Sequence, residues 1–358
     1  MKRLIACSLI ALTAHAAEPL SPSLIPPEWA GKMGEYRSPL LFKDSREVKT
    51  AEEWRQRRAE ILTDWHSLMG EWPPVIAQPK IEVVETTHRE TFTQQNIRVQ
   101  IAANQMADGY LLIPDGAGPF PAVFVPYYDP ETSVGLGAKP LRDFAYQLTK
   151  RGFVSLAIGS PGGDARLPVL TANAKCQPLS YLGYISANAW QALANMPQVD
   201  ANRIGIVGHS YGGKWSMFGA CLWDKYACAV WSDPGVVFDE TRESINYQEP
   251  WYLGLDTAST RKPGLVRADS PRTGAYKALI EQGHDLVEFQ ALMAPRPFLV
   301  SGGAEDPPKR WVPLNHLRAV NALLGHDDRV AMTNREKHDP NPESNEVIYR
   351  FFDHWLKP

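Results

Sequence analysis

The stretch GIVGHSYGGKWS, residues 205–216, superimposes two chemistries. Gly208, Ser210 and Gly212 form G-x-S-x-G, the spacing that presents a nucleophilic serine on a sharp turn. Gly208, Gly213 and Lys214 come close to G-x-x-x-x-G-K-[ST], a phosphate cradle. The cradle needs a hydroxyl after the lysine to hold Mg²⁺, and Trp215 stands there instead. The serine reading needs a strand before the turn and a helix after it. IGIV (204–207) is a buried-type strand and KWSMFGACLW (214–223) reads as a helix, so Ser210 is the candidate nucleophile.

A serine hydroxyl attacks only when a base takes its proton. His338, in NREKHDPNPES, follows the last predicted strand and precedes the last predicted helix, which makes it the candidate base. His326 lies at the wrong end of that strand, His316 and His354 fall in helices, and His284 sits in an irregular region. The acid should end a strand between the two. Asp306, closing PFLVSGGAED, is the first choice, with Asp233 in VWSDPG and Glu305 as alternatives. An acyl-transfer site also needs two N–H donors for the oxyanion. Tyr211, directly after the serine, supplies one. Tyr128 supplies the other, from the end of PAVFVPYY (121–128), with neighbouring Tyr127 as its alternative.

These side chains need a scaffold. Thr50 caps a helix running to Met69, with Glu53 three residues on and Trp54, Ile61, Leu62, Trp65, Leu68 and Met69 near helical period. From Lys80 to Pro114 the period is two, in four β segments: KIEVVETT, RETFTQ, NIRVQIAA and ADGYLLIP. Strands and helices then alternate. Strands are expected over 121–128, 203–210, 227–235, 296–306 and 329–334, with 152–163 a strand running into a Gly/Pro loop, and helices over 138–151, 179–195, 212–223, 311–324 and 342–356. Continuous apolar strands alternating with helices predict a mostly parallel sheet covered on both faces, with function at its carboxyl edge.

The 358 residues, 44% apolar and 22% charged, suffice for a large α/β domain. A net charge of −3 gives no reason to expect nucleic acid or an anionic membrane as partner. MKRLIACSLIALTAHA, residues 1–16, reads as a cleaved secretory signal, too short to span a membrane. A secreted or periplasmic location follows. Cys176, Cys221 and Cys228 then remain, an odd number without regular spacing, read as small buried residues with one bridge possible. There is no H-E-x-x-H, paired C-x-x-C or EF-hand loop, so no metal or cofactor is expected.

Residues 110–357 resemble the α/β-hydrolase superfamily, nearest to dienelactone hydrolases, acetyl xylan esterases and prolyl-oligopeptidase-like hydrolases. DANRIGIVGHSYGG, LMAPRPFLVSGGAED and KHDPNPESNEVIYRFFDHWL carry the likeness, and AEEWRQRRAEILTDWHSLMGEWP resembles the leading helix of secreted bacterial esterases. The resemblance implies an α/β-hydrolase fold with antiparallel N-terminal strands, and hydrolysis of a small or carbohydrate ester through an acyl-serine. It divides the chain into an arm and helix (17–79) and a catalytic domain (80–358), with a lid or rim at about 236–275. Tyr247, Trp251, Tyr252 and Arg242 in that rim could form a sugar platform, and loop 160–178, with Asp164 and Arg166, is a second rim. Many relatives carry His-Gly where this chain has Pro126-Tyr127-Tyr128. Glucuronoyl esterases are similar in layout but place arginine after the nucleophile, where Tyr211 stands, which argues against a uronate ester. A serine peptidase is the alternative, although about 100 leading residues cannot build the propeller of prolyl oligopeptidases. A non-catalytic binding protein would lack one of the three reactive groups, and none is missing.

Overall fold

The computed structural model describes residues 25–162, 175–242, 252–256 and 264–357. Nine strands form one sheet: β1 Ile81–Arg89, β2 Phe92–Ala102, β3 Gln105–Pro114, β4 Phe120–Pro126, β5 Val154–Ile158, β6 Val199–His209, β7 Cys228–Ser232, β8 Phe298–Gly302 and β9 Val330–Asn334. Their order is β1-β2-β3-β5-β4-β6-β7-β8-β9. The first three strands are antiparallel and β3 pairs antiparallel with β5, whereas every pairing from β5 through β4 to β9 is parallel. The helices with described bounds are α1 Ala51–Met69, α2 Pro130–Ser133, α3 Phe144–Lys150, α4 Pro178–Ala194, α5 Tyr211–Leu222, α6 Gly274–Glu281, α7 Leu286–Gln290, α8 Trp311–Leu323 and α9 Pro342–Leu356.

Alternation along the strands divides the core. In β4, Ala122 and Phe124 join a buried cluster with Trp65, Leu182, Trp215 and Phe218. Val123 and Val125 join another with Phe144, Leu148, Ile348 and Phe352. Successive residues point to opposite faces, so α1, α4 and α5 cover one side of the sheet and α3 and α9 the other. This is the two-sided burial that the apolar strand runs predict.

Thr50 caps α1 as expected, its hydroxyl accepting from the Glu53 N–H at 3.1 Å. Trp54, Ile61, Trp65 and Met69 bury one stripe of that helix. Arg57 is buried with them and donates to Glu288 Oε2 of α7 at 3.2 Å, while Trp65 Nε1 donates to Glu288 Oε1 at 3.1 Å and His284 Nδ1 contacts the same oxygen.

Three local expectations change. RETFTQ is split: Arg89 ends β1, Glu90 turns the chain at a φ of 48°, and Phe92–Gln94 run on without a break into NIRVQIAA as β2. The helix expected over 138–151 begins only at Phe144. Pro140 disfavours helical backbone at the residue before it, and Leu141 adopts a φ of 61°. The short α2 was not anticipated, although Asp129 caps it and Pro130 opens it. Among the described residues, no helix is long and apolar enough to cross a membrane. The segment 1–16 lies outside them.

Candidate active site

Parallel register brings distant residues into one row. His209 pairs with Ser232, Ser232 with Ser301, and Ser301 with Thr333. Ser210, Asp233 and Gly302 therefore stand side by side at the carboxyl edge, one step beyond that row.

Ser210 turns the chain from β6 into α5 at φ 56°, ψ −115°, a region costly for a residue with a side chain. The flanking glycines make room. A Cβ on Gly208 would lie 2.2 Å from the Gly212 oxygen, and one on Gly212 would lie 2.3 Å from the Pro126 oxygen. The residues resembling a phosphate cradle are used otherwise: Lys214 Nζ is buried and donates to the Gly235 carbonyl at 2.7 Å, and Trp215 Nε1 donates to the Leu182 carbonyl at 2.8 Å.

His338 arrives on the loop after β9. Its Nε2 lies 2.9 Å from Ser210 Oγ and its Nδ1 lies 2.7 Å from Asp233 Oδ2. A carboxylate accepts, so Nδ1 carries the proton and Nε2 is left to accept from the serine hydroxyl. The other histidines lie apart: His316 faces the Met33 carbonyl, His284 faces Glu288, His326 lines a cavity under α1, and His354 meets Trp355 edge-on.

The first-choice acid, Asp306, is not the group facing His338; that group is Asp233. Asp233 takes a φ of 51° at the end of β7, which throws its carboxylate over the loop after β8. There Oδ1 accepts from the N–H groups of Gly303 (2.6 Å) and Asp306 (2.8 Å), and Oδ2 accepts from that of Glu305 (3.2 Å). Asp306 points back, its carboxylate accepting from the N–H groups of Gly235 and Val236, both at 2.8 Å. Burial, with the Asp233 carboxylate beside it, pushes Asp306 above the usual carboxylate range. Glu305 turns its side chain to Arg242, 3.3 Å away.

The Tyr127 N–H donates to the Ile158 carbonyl at 3.2 Å, within the sheet, so Tyr127 has no N–H to offer an oxyanion. Tyr128 and Tyr211 lie with ring centroids 4.9 Å apart, and the Tyr211 hydroxyl lies 3.1 Å from Ser160 Oγ. Tyr252 is buried against Tyr211, 5.4 Å between centroids, and so is packing rather than an open platform. Tyr247, Trp251, Asp164 and Arg166 lie outside the described residues. A cavity of about 480 Å³ borders this edge between Tyr128, Ser160 and the start of β3.

Two residues around the site were not foreseen. His209 is buried with Nδ1 at 3.1 Å from both oxygens of Ser232, and its ring lies against that of His338, centroids 4.7 Å apart. Burial, then the neighbouring His338 and Arg335, hold its pKa well below the ordinary histidine value. Arg335 is buried under the His338 loop. In the sequence it is one charged residue of a polar loop, with no signal of its role. The three cysteines are free and buried; burial pushes the thiols of Cys176 and Cys221 up to about 11 and about 12.

Comparisons with known proteins place this geometry. The esterase FrsA-like family model matches residues 79–248 and the prolyl oligopeptidase family model matches residues 186–358. The two overlap across β6, α5 and β7. No curated protein matches by sequence. A glucuronoyl esterase from Solibacter usitatus superimposes with a TM-score of 0.71 at 17% identity, over 89% of this chain and 97% of its own. A promiscuous carbohydrate esterase family 15 enzyme from a marine bacterial metagenome gives 0.67 at 14% identity, over 94% and 99%. A Bacteroides fragilis protein described as an acetyl xylan esterase gives 0.59 at 18% identity, over 86% and 81%. The chain is an α/β-hydrolase in fold.

Proposed function

We propose that this α/β-hydrolase is a secreted serine esterase that cleaves acetyl or similarly small esters from carbohydrate. The observation that carries the reading is the continuous chain Ser210 Oγ–His338 Nε2, His338 Nδ1–Asp233. In the first half-reaction Oγ attacks the ester carbonyl while Nε2 takes its proton. The same imidazolium proton then goes to the departing alcohol, leaving an acyl-serine. Water repeats the sequence and releases the acid. Asp233 fixes the tautomer and stabilises the imidazolium. The N–H groups of Tyr211 and Tyr128 bind the oxyanion, each worth a few kcal/mol of barrier, and the N-terminus of α5 favours the same charge. Tyr211 offers a phenol engaged with Ser160, which gives a uronate carboxylate no cation at that position. The reading of residues 1–16 as a signal supports secretion.

p-Nitrophenyl acetate turnover should fall by a factor of about 10³ or more in Ser210→Ala; equal rates would exclude the mechanism. Acetylated, feruloylated and methyl-esterified glycans, read by mass spectrometry, identify the ester. The prolyl oligopeptidase match favours a peptidase as second reading. Cleavage of prolyl dipeptide anilides at rates above those on any ester would put it first.

A further inference from the structure

The base loop is held from beneath by one side chain. Arg335 Nε donates to the Asp339 carbonyl at 2.8 Å. Nη1 donates to the Ser301 carbonyl at 2.8 Å, with Ser301 Oγ at 3.1 Å and the Gly302 carbonyl at 3.3 Å. Nη2 donates to the His338 carbonyl at 2.7 Å and to Ser232 Oγ at 3.3 Å. A guanidinium has five N–H donors in a rigid fork, and each of them finds an acceptor here. The acceptors belong to β7, β8 and the base loop.

We propose that Arg335 is the positioning residue for His338, an inference that rests on the esterase reading. It acts on the histidine twice. Through the His338 and Asp339 carbonyls it fixes the backbone from which the imidazole projects. Through Ser232 it fixes His209, whose ring is the surface on which the imidazole lies. Neither contact touches a substrate, so the effect falls on proton transfer rather than on binding. Lysine preserves the charge but not the fork. A base displaced by about 1 Å can cost on the order of 10²-fold.

The test compares wild type, Arg335→Lys and Arg335→Ala. The readouts are kcat and KM on p-nitrophenyl acetate, Ser210 labelling by a fluorophosphonate, and thermal melting. In Arg335→Lys, kcat and the labelling rate should fall about 100-fold with KM within about twofold of wild type. In Arg335→Ala, guanidinium at sub-denaturing concentration should restore part of kcat, and methylammonium should not. A folded Arg335→Lys enzyme with wild-type kcat overturns the proposal. So does a loss that appears in KM alone, or rescue by either cation equally. If Arg335→Lys does not fold, the cation comparison on Arg335→Ala decides. If wild type is neither active nor labelled, the esterase reading fails first. The imidazole NMR signals of His338 and His209 then carry the test: they alone should shift in Arg335→Lys, and unchanged signals would refute the positioning role.

Discussion

Asp233 directly follows β7 and Asp306 lies on the turn after the neighbouring parallel strand β8, and each is almost completely buried. Each also holds the other's loop. Asp233 gathers three N–H groups from the turn after β8, and Asp306 gathers two from the turn after β7. One bond separates their roles, the contact of Asp233 with His338 Nδ1. The pair teaches that standing at the end of a strand makes an aspartate available for chemistry, while the turn that follows decides whether it faces the histidine. Asp233 turns out at φ 51° towards the imidazole. Asp306 turns in, beside Arg310, whose Nε lies 3.7 Å away.

The largest expected effect tests the side that faces the base. Asp233→Asn places an amide opposite Nδ1, which favours the tautomer with the proton on Nε2, where it cannot accept from Ser210. We expect kcat/KM for p-nitrophenyl acetate to fall by about 10³–10⁴ with the fold intact by circular dichroism. Asp306→Asn should cost less than about tenfold, because the N–H it gives Asp233 belongs to the backbone and survives. Equal losses in the two variants would break the distinction.

The smallest effect concerns a third aspartate holding the loop after β7. Asp285 accepts from the Phe238 N–H at 3.3 Å and caps α7. Burial pushes its pKa up to about 7, whereas in the unfolded chain it is about 3.9. Between those values the folded protein keeps a proton that the unfolded chain has lost. Its stabilising contribution is therefore complete below about pH 4 and is lost as pH rises towards 7. Part of Asp285 is solvent-accessible, which trims the effect. Asp285→Asn removes the titration but can still cap the helix. Its melting temperature relative to wild type should rise by on the order of 2 °C between pH 4.5 and 7.5. A constant difference across that range would show that Asp285 does not titrate there.

The sequence carried the parts governed by periodicity. The buried run before Ser210, the helix after it and the loop bearing His338 could all be placed from apolar spacing and turn residues. The choice of acid could not, because it depends on a backbone turn that any aspartate after a strand is able to adopt. Arg335 was equally hidden, since a charged residue in a polar loop carries no mark of burial until its acceptors are assembled from three elements. Tyr252 is expected to help form a sugar platform because it falls among aromatics in the rim segment, yet it packs on Tyr211.

The buried contact between Arg57 and Glu288 bears on where the chain can be cut. The esterase-like match begins at residue 79, which invites excision of everything before it. A fragment starting there would strip Glu288 of both Arg57 and Trp65 and bare the apolar bed that Trp54, Ile61 and Met69 had filled. Among the described residues Glu288 would keep only His284, and each large apolar side chain removed from that bed takes with it about 1.5–3 kcal/mol of burial, a large part of what holds a domain together. The unit that folds therefore begins ahead of residue 79, and the solved structures that superimpose on 89–94% of this chain agree with that.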